Sequence, residues 1–137
     1  MFGCALAGVS LRLACPPGHY VDPVAVDAAR SYGIEVIETD QPGEAVQGAD
    51  AVYTDVWVSM GQEQDARSKE DAFAAYTVTS QLMDRAAPGA VFLHCLPAHR
   101  GLEVDAAVID GPASAVWDQA HNRMHAARAV FQWLITR

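Results

Sequence analysis

Two short segments concentrate the side chains able to do chemistry. In Asp55-Val56-Trp57-Val58-Ser59-Met60-Gly61 a carboxylate runs into a hydroxyl-bearing loop. In His94-Cys95-Leu96-Pro97 an imidazole and a thiol stand side by side before a proline. A carboxylate and a thiol that meet can grip an amine and steer its protons. Taken singly, each has a plain structural explanation. A cysteine ending an apolar run is a small core hydrophobe, and an aspartate at a strand end is a helix cap or turn residue. The functional reading gains because both segments can end on one rim of one sheet.

Further along, Ala120-His121-Asn122-Arg123 sets an arginine beside an asparagine near a helix start, a combination suited to an anion or a polar carbonyl. A solvated surface arginine is the competing account. His121 and His125 have the i, i+4 spacing of helical metal ligands. Asn122 stands where a zinc-protease helix carries its general-base glutamate, and no third ligand is indicated, so no metal is expected. Trp57, Trp117 and Trp133 read as core or interface aromatics. No GxGxxG or Walker-type glycine loop occurs, which weakens a nucleotide-binding reading, and no cofactor is expected.

These residues depend on the elements that carry them. Ala90-Val91-Phe92-Leu93 is an unbroken apolar run entered through Pro88-Gly89, the pattern of a strand buried on both faces. Pro97 cannot donate to a sheet ladder, so the strand ends at or near Leu96, with His94 and Cys95 at its carboxyl end. Ligands of open α/β sheets bind just beyond such ends. Before it, Ala49 to Trp57 reads as another strand, delivering Asp55 to its end. Met1 to Gly8 reads as a small apolar helix, Ser10 to Cys15 as a strand, and Asp22-Pro23 as a cap and first turn of a helix running to Arg30. Ile34 to Glu38 alternates as a strand, and Pro42 to Gly48 forms a brief helix. Helices are expected over Gln64 to Tyr76 and over Gln81 to Ala87, the latter capped by Thr79 or Ser80. After the organising strand come a loop through Pro112, an extended piece Ser114 to Trp117, and a closing helix from Asp118 to about Leu134. In that helix Met124, Ala127, Val130, Phe131 and Leu134 form an apolar stripe at helical spacing. Alternating strands and helices predict α/β architecture with a parallel sheet. The chain opens on a helix with no strand before it, although an apolar helix of this kind normally follows one.

The 137 residues suffice for one domain with a real core. A net charge of -8 argues against non-specific nucleic-acid or anionic-membrane binding. Three cysteines without paired spacing argue against a disulfide framework and fit a reducing cytoplasm. The apolar start lacks a basic region, and Arg12 interrupts it before export length. No stretch approaches the ~20 apolar residues needed to span a bilayer.

At its chemical segments the sequence resembles the ornithine carbamoyltransferase family, in that family's carboxyl-terminal, ornithine-binding half. Asp55 to Glu63 resembles the D-x-W-x-S-M-G loop, and His94-Cys95-Leu96-Pro97 matches H-C-L-P. Ala120-His121-Asn122-Arg123 resembles A-E-N-R, with His121 where the family usually has Glu. Cysteine in H-C-L-P, with the S-M-G loop, favours ornithine over the aspartate-using relatives. The similarity covers essentially the whole chain.

The resemblance implies a fold and a set of roles. The fold would be a three-layer, Rossmann-like parallel sheet flanked by helices, lacking its first strand. Asp55 and Ser59 would hold the α-amino group of L-ornithine, with Met60 contributing through its backbone. Cys95, next to His94 in the substrate site, would sit by the attacking δ-amino group, and Asp55 with Cys95 would manage its proton. Leu96 would offer its carbonyl to the carbamoyl NH2 through a cis Leu96–Pro97 peptide, and Arg123 would polarise the carbamoyl oxygen. The reaction implied is metal-free carbamoyl transfer from carbamoyl phosphate, giving citrulline and phosphate, in homo-oligomers built on trimers. His121 removes a negative charge beside Arg123. The family's amino-terminal domain, with its S-x-R-T-R-type phosphate motif, has no counterpart in residues 1–137, nor has the first strand of the ornithine domain. The chain therefore resembles a fragment, expected to be inactive alone. The rival expectation is a non-catalytic amino-acid-binding or subunit-interaction domain of the same fold.

Overall fold

The computed structural model describes residues 1–58 and 66–137, so Ser59, Met60 and Gly61 lie outside the described residues. Among the described residues the chain alternates short helices and strands. In order these are α1 (Phe2–Leu6), β1 (Leu11–Ala14), α2 (Pro23–Arg30), β2 (Val36–Thr39), α3 (Pro42–Ala45), β3 (Ala51–Thr54), α4 (Ala66–Phe73), α5 (Ser80–Met83), β4 (Val91–His94), α6 (Ala106–Ile109) and α7 (Val116–Ile135). A 3-10 turn over Ala74–Tyr76 extends α4. Local chemistry explains several boundaries. Asp22 caps α2 by accepting the Val24 N–H at 2.9 Å, with Pro23 in the first turn where its missing donor costs nothing. Thr79 caps α5 by accepting from Leu82 N at 3.1 Å.

The strands pair in parallel as expected, but in two separate two-stranded sheets rather than one. Leu11 lies opposite Val36 in the first, and Ala51 opposite Val91 in the second. In a parallel ladder alternate residues bond to one side. Leu11 and Cys15 donate to the Glu35 and Thr39 carbonyls, so Arg12 and Ala14 turn their backbone groups away from β2. The outer edge of β4 is closed by the 113–115 segment: Phe92 donates to Ala113 at 2.8 Å and Ala115 to Phe92 at 2.9 Å. Among the described residues no strand pairs with the other edge of β1 or of β3. Each sheet accordingly carries its own core. One gathers Ala5, Val26, Ala29, Ile34 and Val36. The other gathers Val52, Val78, Phe92, Val104, Val108, Ile109 and Val116. Links between the halves are polar or aromatic. Arg12 Nη1 donates to the Gln47 carbonyl at 2.5 Å, Tyr76 OH to the Asp40 carbonyl at 2.8 Å, and Phe73 packs against both His19 and Trp57.

Two expectations are corrected, and one finding is added. The loop expected before Pro112 contains α6, whose Val108 and Ile109 are buried, because two apolar residues four or five after Val104 complete the same core. The extended piece at 114–117 reduces to a single bridge at Ser114, and α7 starts at Val116, two residues before Asp118. The apolar stripe of α7 meets no core: Val116 is the buried residue of the helix, while Met124 is 48% and Phe131 68% exposed. Periodicity records that a helix has an apolar face, not that anything covers it. No helix of the described residues is long and apolar enough to cross a membrane.

Candidate functional site

β3 and β4 run in register, with Thr54 opposite His94. The next residue of each, Asp55 and Cys95, therefore leaves the sheet side by side. The Cys95 thiol donates to Asp55 Oδ1 at 2.8 Å, and Val56 N–H donates to the same oxygen at 2.7 Å. The expectation of a shared rim is met at hydrogen-bond distance. Burial, and next the adjoining Asp55 carboxylate, push the thiol above its ordinary range, with the Tyr53 hydroxyl pulling the other way. At neutral pH Cys95 is thus a neutral hydrogen-bonding thiol, not a thiolate nucleophile.

Tyr53 shares its face of β3 with Asp55, since side chains alternate along a strand. Burial, then the thiol and Asp55, push its hydroxyl up to about 12, and the Gln119 side chain opposes the shift. Tyr53, Asp55, Cys95 and Gln119 thus form one polar group at the strand ends.

His94 takes a different place from the one expected. It is 1% exposed and faces no open surface, because as the last residue of β4 it points into the core beneath Cys95. Its Nδ1 accepts the Leu96 N–H at 2.8 Å, which leaves the ring proton on Nε2. Nε2 lies 3.4 Å from Glu103 Oε1, within ion-pair reach but outside hydrogen-bond geometry. Glu103, also 1% exposed, accepts the His99 N–H at 2.5 Å and has its other oxygen 3.7 Å from His99 Nδ1. A buried carboxylate and imidazole thus tie both ends of the 94–103 loop together. Within it the Leu96–Pro97 peptide is cis, as expected, and Leu96 has φ +57°. That left-handed conformation is costly for a leucine and persists only where its surroundings impose it.

Arg123 lies on α7 beyond its second turn, exposed, and among the described residues makes no hydrogen bond or ion pair to Asp55 or Cys95. Ser59 and Met60 lie outside the described residues. Among the described residues no group of three or more His, Cys, Asp or Glu is placed to hold a metal, and His121 and His125 meet edge to face at 4.9 Å. Cys4, Cys15 and Cys95 are free thiols. Sequence reasoning missed Glu103, Gln119 and Tyr53. Gln119 Oε1 accepts the His94 N–H at 3.0 Å across 25 residues of chain, a contact with no local signature.

Comparison with known proteins bears on the same residues. The family model described as "Aspartate/ornithine carbamoyltransferase, Asp/Orn binding domain" matches residues 1–134. The chain is 50% identical over 135 residues to an ornithine carbamoyltransferase of Methanothermobacter thermautotrophicus, covering 96% of this chain and 45% of the relative. It is 53% identical over 135 residues to that of Symbiobacterium thermophilum, covering 95% and 43%. Among solved structures, the ornithine carbamoyltransferase from Pyrococcus furiosus superposes with a TM-score of 0.85 at 42% identity, over 93% of this chain and 42% of that one. The anabolic enzyme from Campylobacter jejuni gives 0.91 at 29% identity, over 97% and 45%. The chain thus spans a little under half the length of the relatives it matches. With nearly all of its residues under that one model, the chain belongs to the aspartate/ornithine carbamoyltransferase family, as its aspartate/ornithine-binding domain.

Proposed function

We propose that residues 1–137 form the ornithine-binding domain of an ornithine carbamoyltransferase. In the reaction the ornithine δ-nitrogen bonds to the carbamoyl carbon of carbamoyl phosphate. The carbon–oxygen bond to phosphate breaks, the amine loses a proton, and citrulline and phosphate leave. The observation that carries this reading is the 2.8 Å Cys95–Asp55 bond at two adjacent strand ends. A carboxylate attracts the substrate's ammonium groups, and a neutral thiol beside it can accept from and donate to the attacking amine without competing as a nucleophile. Asp55 and Ser59 hold the α-amino group, helped by the Met60 backbone. Cys95 sits by the δ-amino group, the Leu96 carbonyl takes the carbamoyl NH2, and Arg123 meets the carbamoyl oxygen as negative charge grows there. His94 supports the Leu96 turn from behind. The donor's phosphate would be held by residues beyond these, in a homo-oligomeric, cytoplasmic enzyme that uses no metal.

A second reading is a non-catalytic domain of the same fold that works by association, favoured by the uncovered apolar face of α7. Calorimetric titration of L-ornithine into the chain and into Asp55→Asn, with a citrulline assay beside it, separates the two. Binding that Asp55→Asn abolishes, without steady citrulline production, is the expected result. Positioning of the donor supplies much of the rate, so a chain that grips one substrate should bind without turning over. Ornithine binding unaffected by Asp55→Asn would overturn the assignment of the site. Absence of any ornithine binding would favour the association reading.

A further inference from the structure

α7 is 20 residues long, and its attachment to the rest of the molecule is confined to its first turn. Val116 is fully buried, Ala115 donates to the Phe92 carbonyl, and beyond them every residue but Gln119 is exposed. Gln119 reaches the end of β4, where its Oε1 accepts the His94 N–H at 3.0 Å. The helix is therefore held at two points, a hinge at 115–116 and the Gln119 side chain, which accepts from His94 and also meets the Tyr53 hydroxyl. Arg123 follows Gln119 at i+4 and so shares its face. We propose that Gln119 is a positioning residue: by holding the start of α7 to the Cys95 strand end, it sets where Arg123 stands relative to Cys95 and Leu96. The proposal rests on the carbamoyl-transfer reading for what Arg123 does, but not for where the helix lies.

The lever makes the contact consequential. Arg123 stands seven positions after Val116, about 10 Å of helix at ~1.5 Å per residue. A pivot of about 10° at the hinge would displace Arg123 by about 2 Å, whereas ~1 Å of misplacement can cost about a hundredfold in rate. A merely structural role for Gln119 would need only an apolar side chain to fill its space. A positioning role needs an acceptor at Oε1.

The test compares the chain with Gln119→Met, which fills the space without the acceptor, and Gln119→Glu, which restores it. Two measurements are made: amide hydrogen exchange at His94, and the orientation of α7 relative to β3 and β4 from residual dipolar couplings. Gln119→Met should speed His94 exchange by about tenfold, as expected for losing one net hydrogen bond, and reorient or broaden α7 while β3 and β4 keep their couplings. Gln119→Glu should restore both. Unchanged helix orientation in Gln119→Met would overturn the proposal, as would failure of Gln119→Glu to restore it. Titrations of L-ornithine and L-citrulline run beside these, because citrulline carries the carbonyl that Arg123 would meet. Selective loss of citrulline affinity in Gln119→Met, not deepened by adding Arg123→Ala, supports the coupling. If neither amino acid binds the parent chain, the carbamoyl-transfer reading fails, while the helix orientation still decides the role of Gln119.

Discussion

Removing the carboxylate of Glu103 should cost more stability than any change at the exposed rim. Its side chain is 1% exposed, accepts the His99 N–H at 2.5 Å and stands 3.4 Å from His94 Nε2. Glu103→Ala strands the His99 N–H, at about 1–3 kcal/mol. A cavity is added, and the burial of a charged group is relieved. The stranded donor and the cavity left by a fully buried side chain together come to about 3–5 kcal/mol. For a chain of this size that is a fall in Tm of roughly 10–20 °C. Glu103→Gln keeps an acceptor for His99 and should lose about 1–2 kcal/mol. Thermal and urea unfolding followed by circular dichroism measure both. Because the loop also carries Leu96, alkylation of Cys95 in the native state should accelerate in Glu103→Ala. A Glu103→Ala chain within 1 kcal/mol of the parent, unfolding no more easily than Glu103→Gln, would refute the reasoning.

The raised Cys95 thiol should alkylate more slowly at pH 8 than an unstructured cysteine, and Asp55→Asn should speed it, because the carboxylate that favours the neutral form is gone; mass-spectrometric rates of iodoacetamide labelling check this. Cys15, Cys95 and Tyr53 all hold their protons more tightly folded than unfolded, Tyr53 up to about 12. The unfolded chain therefore deprotonates first, and stability should be fully present below pH 9 and fall as pH rises through 9–12, the opposite of a carboxylate-governed profile; urea midpoints across that range read the slope. The bare face of α7, with Trp117 70% and Phe131 68% exposed, should drive self-association. Sedimentation should give a mass that climbs with concentration, and Phe131→Glu should hold it at the monomer value.

The sequence by itself determined the local elements and the identity of the rim. Asp22-Pro23 and the Thr79-Ser80 pair dictated helix starts because capping is settled by residues two or three apart, and the structure chose Thr79 of the pair. The apolar run into His94-Cys95 dictated a strand end because proline forbids its continuation. From two strand ends in parallel, the meeting of Asp55 with Cys95 followed. What the sequence left open was every pairing made across long stretches of chain. His94 was legible as chemistry, but only the tertiary structure turned it inward to Glu103 and gave Gln119 its backbone. The α7 stripe was legible as apolar, yet only the fold decided that nothing among the described residues covers it. Short-range signals are written in neighbouring residues. The partner of a buried polar atom is chosen by which distant side chain the fold delivers within about 3 Å of it.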